Sequence, residues 1–322
     1  MRKILIDDTI TGYAEKYYTQ LCDGTIKTRI VADLDNLITE IKQDNPANIL
    51  GYINYLRFIR LNLRELILLR PDQFEPLQER LQKKWKCVLS WKRTPNGASF
   101  ADRVVKALHY GDIRKDIFPR YVQKLGIKTC VYCNTQYALT TGTEDGGKLS
   151  AYYELDHAYP KADFPFLAVS FFNLQPSCGP CNRRKSDIGK PYSIYVEKPT
   201  ESSVCISIDN KSLVNYILNH KREDLQVVVT TQNPNLNKLY KQIGVYKIYS
   251  ELRDEAEDMV WKAKIYNESY FKQLYSSYGR SPLNTKSSIY RLLYGIYDGE
   301  EYVYTRPLTK MKQDIAKQLK LI

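Results

Sequence analysis

No stretch of this sequence is apolar for long enough to cross a bilayer. The most apolar one, Ile49 to Leu69, is interrupted by Asn54, Arg57, Arg60, Asn62, Arg64 and Glu65. That is the pattern of an amphipathic helix rather than of a span of about 20 apolar residues. A secretory segment is not expected either, because the start reaches acid at Asp7 after only three apolar residues, Ile4, Leu5 and Ile6. There is no internal repeat and no low-complexity tract, which excludes solenoids and biased tails. The seven cysteines are an odd number, ill suited to a disulfide framework. Histidine is scarcer still, with only His109, His157 and His220 available for imidazole chemistry. These absences lead us to expect a chain of the reducing cytoplasm with no membrane contact.

Acid is in deficit as well. Lys and Arg number 48 against 36 Asp and Glu, a net charge of +12, with a pI near 9.1. A basic surplus attracts polyanions, and phosphate neutralisation is the main source of nucleic-acid affinity. A lysine-rich solvated surface has the same composition, so charge alone does not choose between them. With 322 residues, 43% of them hydrophobic, the chain can bury a sizeable core and is long enough for about two domains.

The first part, residues 1–125, reads as helical. Asn45 with Pro46 is expected to cap a helix that runs to Pro71, its apolar face formed by Ile49, Leu50, Ile53, Leu56, Leu63, Leu66 and Ile67. Asp72 with Glu75 forms a capping-box pattern for the next helix, continued by Leu77, Leu81, Trp85 and Val88. A basic run follows: Arg80, Lys83, Lys84, Lys86, Lys92 and Arg93, interleaved with Trp85 and Trp91. It suits either a grip on a phosphate backbone or a solvated helix face with core tryptophans. From Cys130 the texture changes to short strands: 136–141, a hairpin loop over 142–147, a return over 149–155, and a helix stop at Gly189 and Pro191. The last part, 196–322, carries strands at 204–208 and 225–230. It is then helical from Asn233-Pro234 to a basic amphipathic helix ending near Leu319.

Four cysteines form two knuckles, Cys130-Val-Tyr-Cys133 and Cys178-Gly-Pro-Cys181. Each short turn aims two thiolates at one point, and two such turns satisfy tetrahedral Zn²⁺ with no position left open for chemistry. Such a zinc is structural, and its binding free energy is folding free energy for the segment it staples. The remaining cysteines, Cys22, Cys87 and Cys205, are scattered and read as small packing residues.

Between the knuckles a strand delivers Asp156 and His157, followed by Pro160. Asn173 comes next, and Asn182-Arg183-Arg184-Lys185 directly after Cys181. Taken singly, each has a structural reading: a turn cap, a loop asparagine, a solvated basic face. Together they resemble the HNH (ββα-metal) endonucleases, whose pattern runs Cys-x-x-Cys, Asp-His-x-x-Pro, then Asn-Leu-x-x-x-Cys-x-x-Cys-Asn-x-x-Lys. The likeness spans about sixty residues, Cys130 to Lys190, and is similar to HNH nucleases of bacterial anti-phage defence.

The resemblance implies an α+β chain in which a zinc-stapled ββα-metal module, 126–195, is inserted between mainly helical regions, 1–125 and 196–322. It implies His157 as general base, with Mg²⁺ or Mn²⁺ on Asp156 and Asn182. Asn173 would pin the loop that orients His157, and Arg183, Arg184 and Lys185 would meet flanking phosphates. Many members carry histidine where this chain has Asn182; the harder amide oxygen favours Mg²⁺. The implied substrate is nucleic acid, with DNA expected, and the implied partner is an ATPase. No base-reading motif stands out. The rival is a zinc-stapled nucleic-acid-binding or interaction subunit that lacks cleavage or is licensed to cleave only by a partner.

Overall fold

The computed structural model describes residues 1–85, 98–142, 149–185, 192–266, 268–277 and 285–321. The chain is mixed helix and strand, an α+β fold in which helices dominate and the sheets are small. The first helix, Asp8–Asp23, starts where the Asp7 side chain accepts the Ile10 amide at 2.8 Å. The second, Ile26–Asp44, buries Ile30, Leu34, Leu37, Ile38 and Ile41 at helical spacing.

Asn45 closes this second helix in the left-handed conformation, φ 43°, and does not open the next one as expected. Asparagine tolerates that region better than other side chains, and a left-handed residue ends a helix by turning the chain away. The third helix is Ile49–Leu61, and it pauses at Asn62, whose side-chain amide donates back to the Phe58 carbonyl at 2.8 Å. A short helix, Leu63–Ile67, follows. After a 3₁₀ turn at Pro71–Gln73, the expected capping box is replaced by a helix over Phe74–Lys84 without a side-chain cap. Trp85 is half-buried against Tyr55 and Phe58, the packing role, while Arg80, Lys83 and Lys84 are exposed. The rest of the basic run, with Cys87, Val88 and Trp91, lies outside the described residues.

The expected hairpin divides in two. Leu139–Thr141 pairs antiparallel with Ser150–Tyr152; the loop between lies largely outside the described residues. After Tyr153 the chain changes partner. Glu154–His157 pairs antiparallel with Leu174–Ser177, and the helix Gly179–Lys185 follows at once. The Gly189 and Pro191 stop lies outside the described residues.

In the last part, Val204–Ile208 pairs antiparallel with Val227–Thr231. Asn233 caps the Pro234–Ile243 helix, accepting the Asn235 and Leu236 amides. Gly244, at φ 81°, breaks the long helical region, which resumes at Val245–Ser250 and Arg253–Ile265. The terminal helix, Thr309–Gln318, lies against the Val204–Ile208 strand. Its Lys310 is buried in a 2.6 Å pair with Asp314, so part of its basic face is internal. No helix among the described residues is long and apolar enough to cross a membrane. Buried apolar residues from all three parts of the chain join in one continuous core, so the strand–helix segment around Cys178 rests on both flanks.

Candidate functional site

The cysteines come together. The Sγ atoms of Cys130, Cys133, Cys178 and Cys181 all lie within 4.8 Å of one another, and all four residues are buried. Tetrahedral Zn²⁺ with sulfur ligands at about 2.3 Å sets its sulfurs roughly 3.8 Å apart, and the Cys133 and Cys178 sulfurs are 3.9 Å apart. The donor set fits a metal ion such as zinc. The C-terminal region holds the first knuckle in place. Asn134, left-handed at φ 54°, donates its amide to Thr129 Oγ1 and the Val303 carbonyl and accepts the Lys310 amide. Tyr249 donates to the Cys133 carbonyl at 2.8 Å, and Thr135 Oγ1 lies 3.2 Å from the Cys133 sulfur. The second knuckle opens the Gly179–Lys185 helix, and the Asn182 amide bonds the Cys178 carbonyl at 3.0 Å.

The strand Glu154–His157 alternates. Leu155 and His157 point inward, whereas Glu154 and Asp156, two residues apart, share the other face. On the following helix Asn182 and Lys185 are three apart and share a face as well. The two faces interlock: Asn182 Nδ2 donates to Glu154 Oε2 at 2.5 Å, and Lys185 Nζ lies 2.7 Å from Asp156 Oδ2. Lys185 also donates to the His157 carbonyl. Lys185 is therefore turned inward, 4% exposed, away from the solvent where a flanking phosphate would lie. Two acceptors draw it there, a buried carbonyl and a mostly shielded carboxylate. Of the basic triplet, Arg183 reaches Glu154 Oε1 at 3.4 Å with most of its side chain exposed, and Arg184 reaches the Ile243 carbonyl at 3.4 Å.

Asp156 has a second partner. Tyr132, inside the first cysteine knuckle, donates its hydroxyl to Asp156 Oδ2 and accepts Gln175 Nε2 at 2.6 Å. Gln175 stands opposite Asp156 in the strand pair and also bonds the Tyr192 carbonyl and the Ile194 amide. Both contacts to Asp156 fall on Oδ2. Oδ1 of Asp156 and Oδ1 of Asn182 have no hydrogen-bond partner among the described residues; both are hard oxygens, a donor type that suits Mg²⁺ or Mn²⁺. Asn182 pairs with Glu154 and makes no hydrogen bond to Asp156.

His157 is buried beside the Tyr110 ring, centroids 4.6 Å apart. Burial pushes its imidazole down to about 4, so the ring is neutral at cellular pH rather than half-titrated as a free imidazole near 6.5 would be. Nε2 lies 2.9 Å from the Ala168 carbonyl. A carbonyl only accepts, so Nε2 carries the proton and Nδ1 the lone pair. Nδ1 has no partner among the described residues.

Asn173, fully buried, accepts the Tyr159 amide at 2.7 Å and donates to the Tyr159 and Leu167 carbonyls. It ties together both ends of the loop between the two strands, beside the Ala168 carbonyl that holds His157. No protein-family model, curated protein or solved structure matches this chain.

The other histidines lie elsewhere: His109 bridges Asp33 and Asp112, and His220 ends a helix in the left-handed region. Sequence reading passed over Glu154, Tyr132 and Gln175. Glu154 was legible as an acid two residues before Asp156 on a strand, hence on its face. Tyr132 and Gln175 carried no such signal, because their roles depend on how the knuckle and the strands meet.

Proposed function

We propose that this chain is a metal-dependent endonuclease of the HNH (ββα-metal) kind that hydrolyses phosphodiester bonds of nucleic acid, with DNA the expected substrate. The observation that carries the reading is His157, whose Nε2 is taken by the Ala168 carbonyl while Nδ1 has no partner among the described residues, beside Asp156 on a strand pair that runs into the helix opened by the cysteine cluster. In this reading His157 Nδ1 accepts the proton of the attacking water. Asp156 and Asn182 hold Mg²⁺ or Mn²⁺ through their free oxygens, and Asn173 keeps the loop from shifting His157. A bound divalent ion supplies charge stabilisation to the phosphate and the leaving oxygen. Arg183 and Arg184, both exposed, would meet flanking phosphates, whereas Lys185 acts inside, neutralising Asp156. The cysteine site does no chemistry. The +12 charge suits a polyanionic substrate. A role in anti-phage defence beside an ATPase belongs to the same proposal and follows from the sequence likeness alone.

One observation favours the rival reading, a subunit licensed by a partner. Asp156 already carries a cation, the Lys185 ammonium, and a partner that withdrew it would expose the carboxylate. Incubation of plasmid, linear duplex, single strands and RNA with Mg²⁺ or Mn²⁺, beside His157→Ala, tests both. Cleavage of DNA lost in His157→Ala supports the enzyme; activity only after adding the partner ATPase supports licensing. Intact nucleic acid under all these conditions sinks both.

A further inference from the structure

We propose that Glu154 is a positioning residue for the candidate divalent-ion site: its carboxylate fixes the flip of the Asn182 amide so that Oδ1, not Nδ2, is the end left for the cation. The proposal rests on the reading of Asp156 and Asn182 as the ion's ligands. An asparagine amide has two ends of nearly equal shape and opposite chemistry, since the oxygen can ligate a cation and the NH₂ cannot. A helix can place the Asn182 side chain, yet it does not choose between the two flips. Glu154 Oε2 lies 2.5 Å from Asn182 Nδ2. A carboxylate only accepts, so turning the amide over would set oxygen against oxygen.

Three further features hold Glu154 itself. It shares the strand face of Asp156, which fixes where its side chain leaves the backbone. Its second oxygen, Oε1, is engaged by Arg183 at 3.4 Å. The space it enters is made by Gly179, where a Cβ would lie 3.0 Å from Glu154 Oε1 and 2.8 Å from Arg183 Nη1. The carboxylate thus has a partner on each oxygen, and the neighbouring glycine leaves it room.

The test is a double-mutant cycle read by Mn²⁺ binding, followed by electron paramagnetic resonance on the zinc-loaded full chain without nucleic acid. Glu154→Ala is expected to weaken Mn²⁺ by about tenfold to a hundredfold, the usual effect of removing a group that orients a metal ligand. In an Asn182→Asp background the flip no longer matters, because both ends of a carboxylate are oxygen. There, Glu154→Ala is expected to leave Mn²⁺ affinity unchanged or to raise it by removing a repelling charge. Unfolding curves and zinc content report folding. If Glu154→Ala does not fold, Glu154→Gln takes its place with a smaller loss in the same direction, since two amides can pair in either flip.

A Glu154 effect equally large in the Asn182→Asp background overturns the proposal and makes Glu154 a ligand or a structural brace. Binding that needs Asp156 yet ignores Glu154 overturns the positioning role alone. A wild-type chain that binds no Mn²⁺, or loses none of it in Asp156→Ala, removes the metal reading and this role with it.

Discussion

Replacing Lys185 by Met strips the ammonium from a mostly shielded carboxylate. Lys185 Nζ and Asp156 Oδ2 are 2.7 Å apart, with 6% and 11% of the two side chains exposed. Breaking such a pair from one side leaves a charge in low dielectric, at a cost of about 3–5 kcal/mol. Asp156 would keep one neutral donor, the Tyr132 hydroxyl. That single bond does not replace an ion pair, so Lys185→Met should fall within this range. Asp156→Asn, the reverse deletion, leaves the ammonium with the His157 carbonyl and the Tyr132 ring, 5.5 Å away. The double variant leaves no unpaired charge. Its cost should be well below the sum of the singles, with a coupling of about 2–3 kcal/mol.

Urea unfolding of the four proteins without Mg²⁺ measures this cycle. Because the pair is shielded from solvent, raising the salt should change the coupling little. Additivity within about 0.5 kcal/mol, or a Lys185→Met cost below about 1 kcal/mol, as expected for an exposed pair, would refute the reasoning. Lys185 would then stand in water, where the family likeness expects a phosphate.

Two further outcomes bear on the two ends of the site. Cys178→Ser should release the metal from the four-cysteine cluster and unfold the segment it staples; elemental analysis that still finds one zinc per chain, with an unchanged melting curve, would remove the assignment. His157 contributes a pH dependence of known sign. Its folded value, near 4 through burial, lies below the unfolded value of about 6.5. Below about pH 6.5 the unfolded chain therefore binds a proton that the folded chain refuses. Its share of stability falls as pH drops from 6.5 towards 4, by up to about 3 kcal/mol. Denaturant titrations across that window should show a shallower slope for His157→Gln, and equal slopes would place the imidazole in solvent.

Much of the site was legible because its residues announce themselves by spacing. The two knuckles converge, as their spacing suggests; Asn173, singled out by the family likeness, bonds the loop beside His157. What spacing hides is direction. Lys185 occupies the family's lysine position, but only the packed structure shows its ammonium turned towards Asp156. The return strand reads as continuous over 149–155, yet the chain leaves the hairpin at Tyr153 and takes a new partner, because Leu155 and His157 then face the core. Asn45 fits a helix start as well as a helix end; its left-handed backbone decides, and sequence does not record it. The neutral state of His157 is likewise a product of burial by residues distant in the chain.

Tyr132 lies between two of the four clustered cysteines, and its hydroxyl rests on Asp156. The staple and the carboxylate are therefore one mechanical part. A fault in the first reaches the second across a single side chain. Loss of a metal held by those cysteines, or oxidation of the thiols, would remove one of the two side chains that hold the acidic group. Damage to the cysteines would then disturb the acidic site as well, with no separate inhibitor needed.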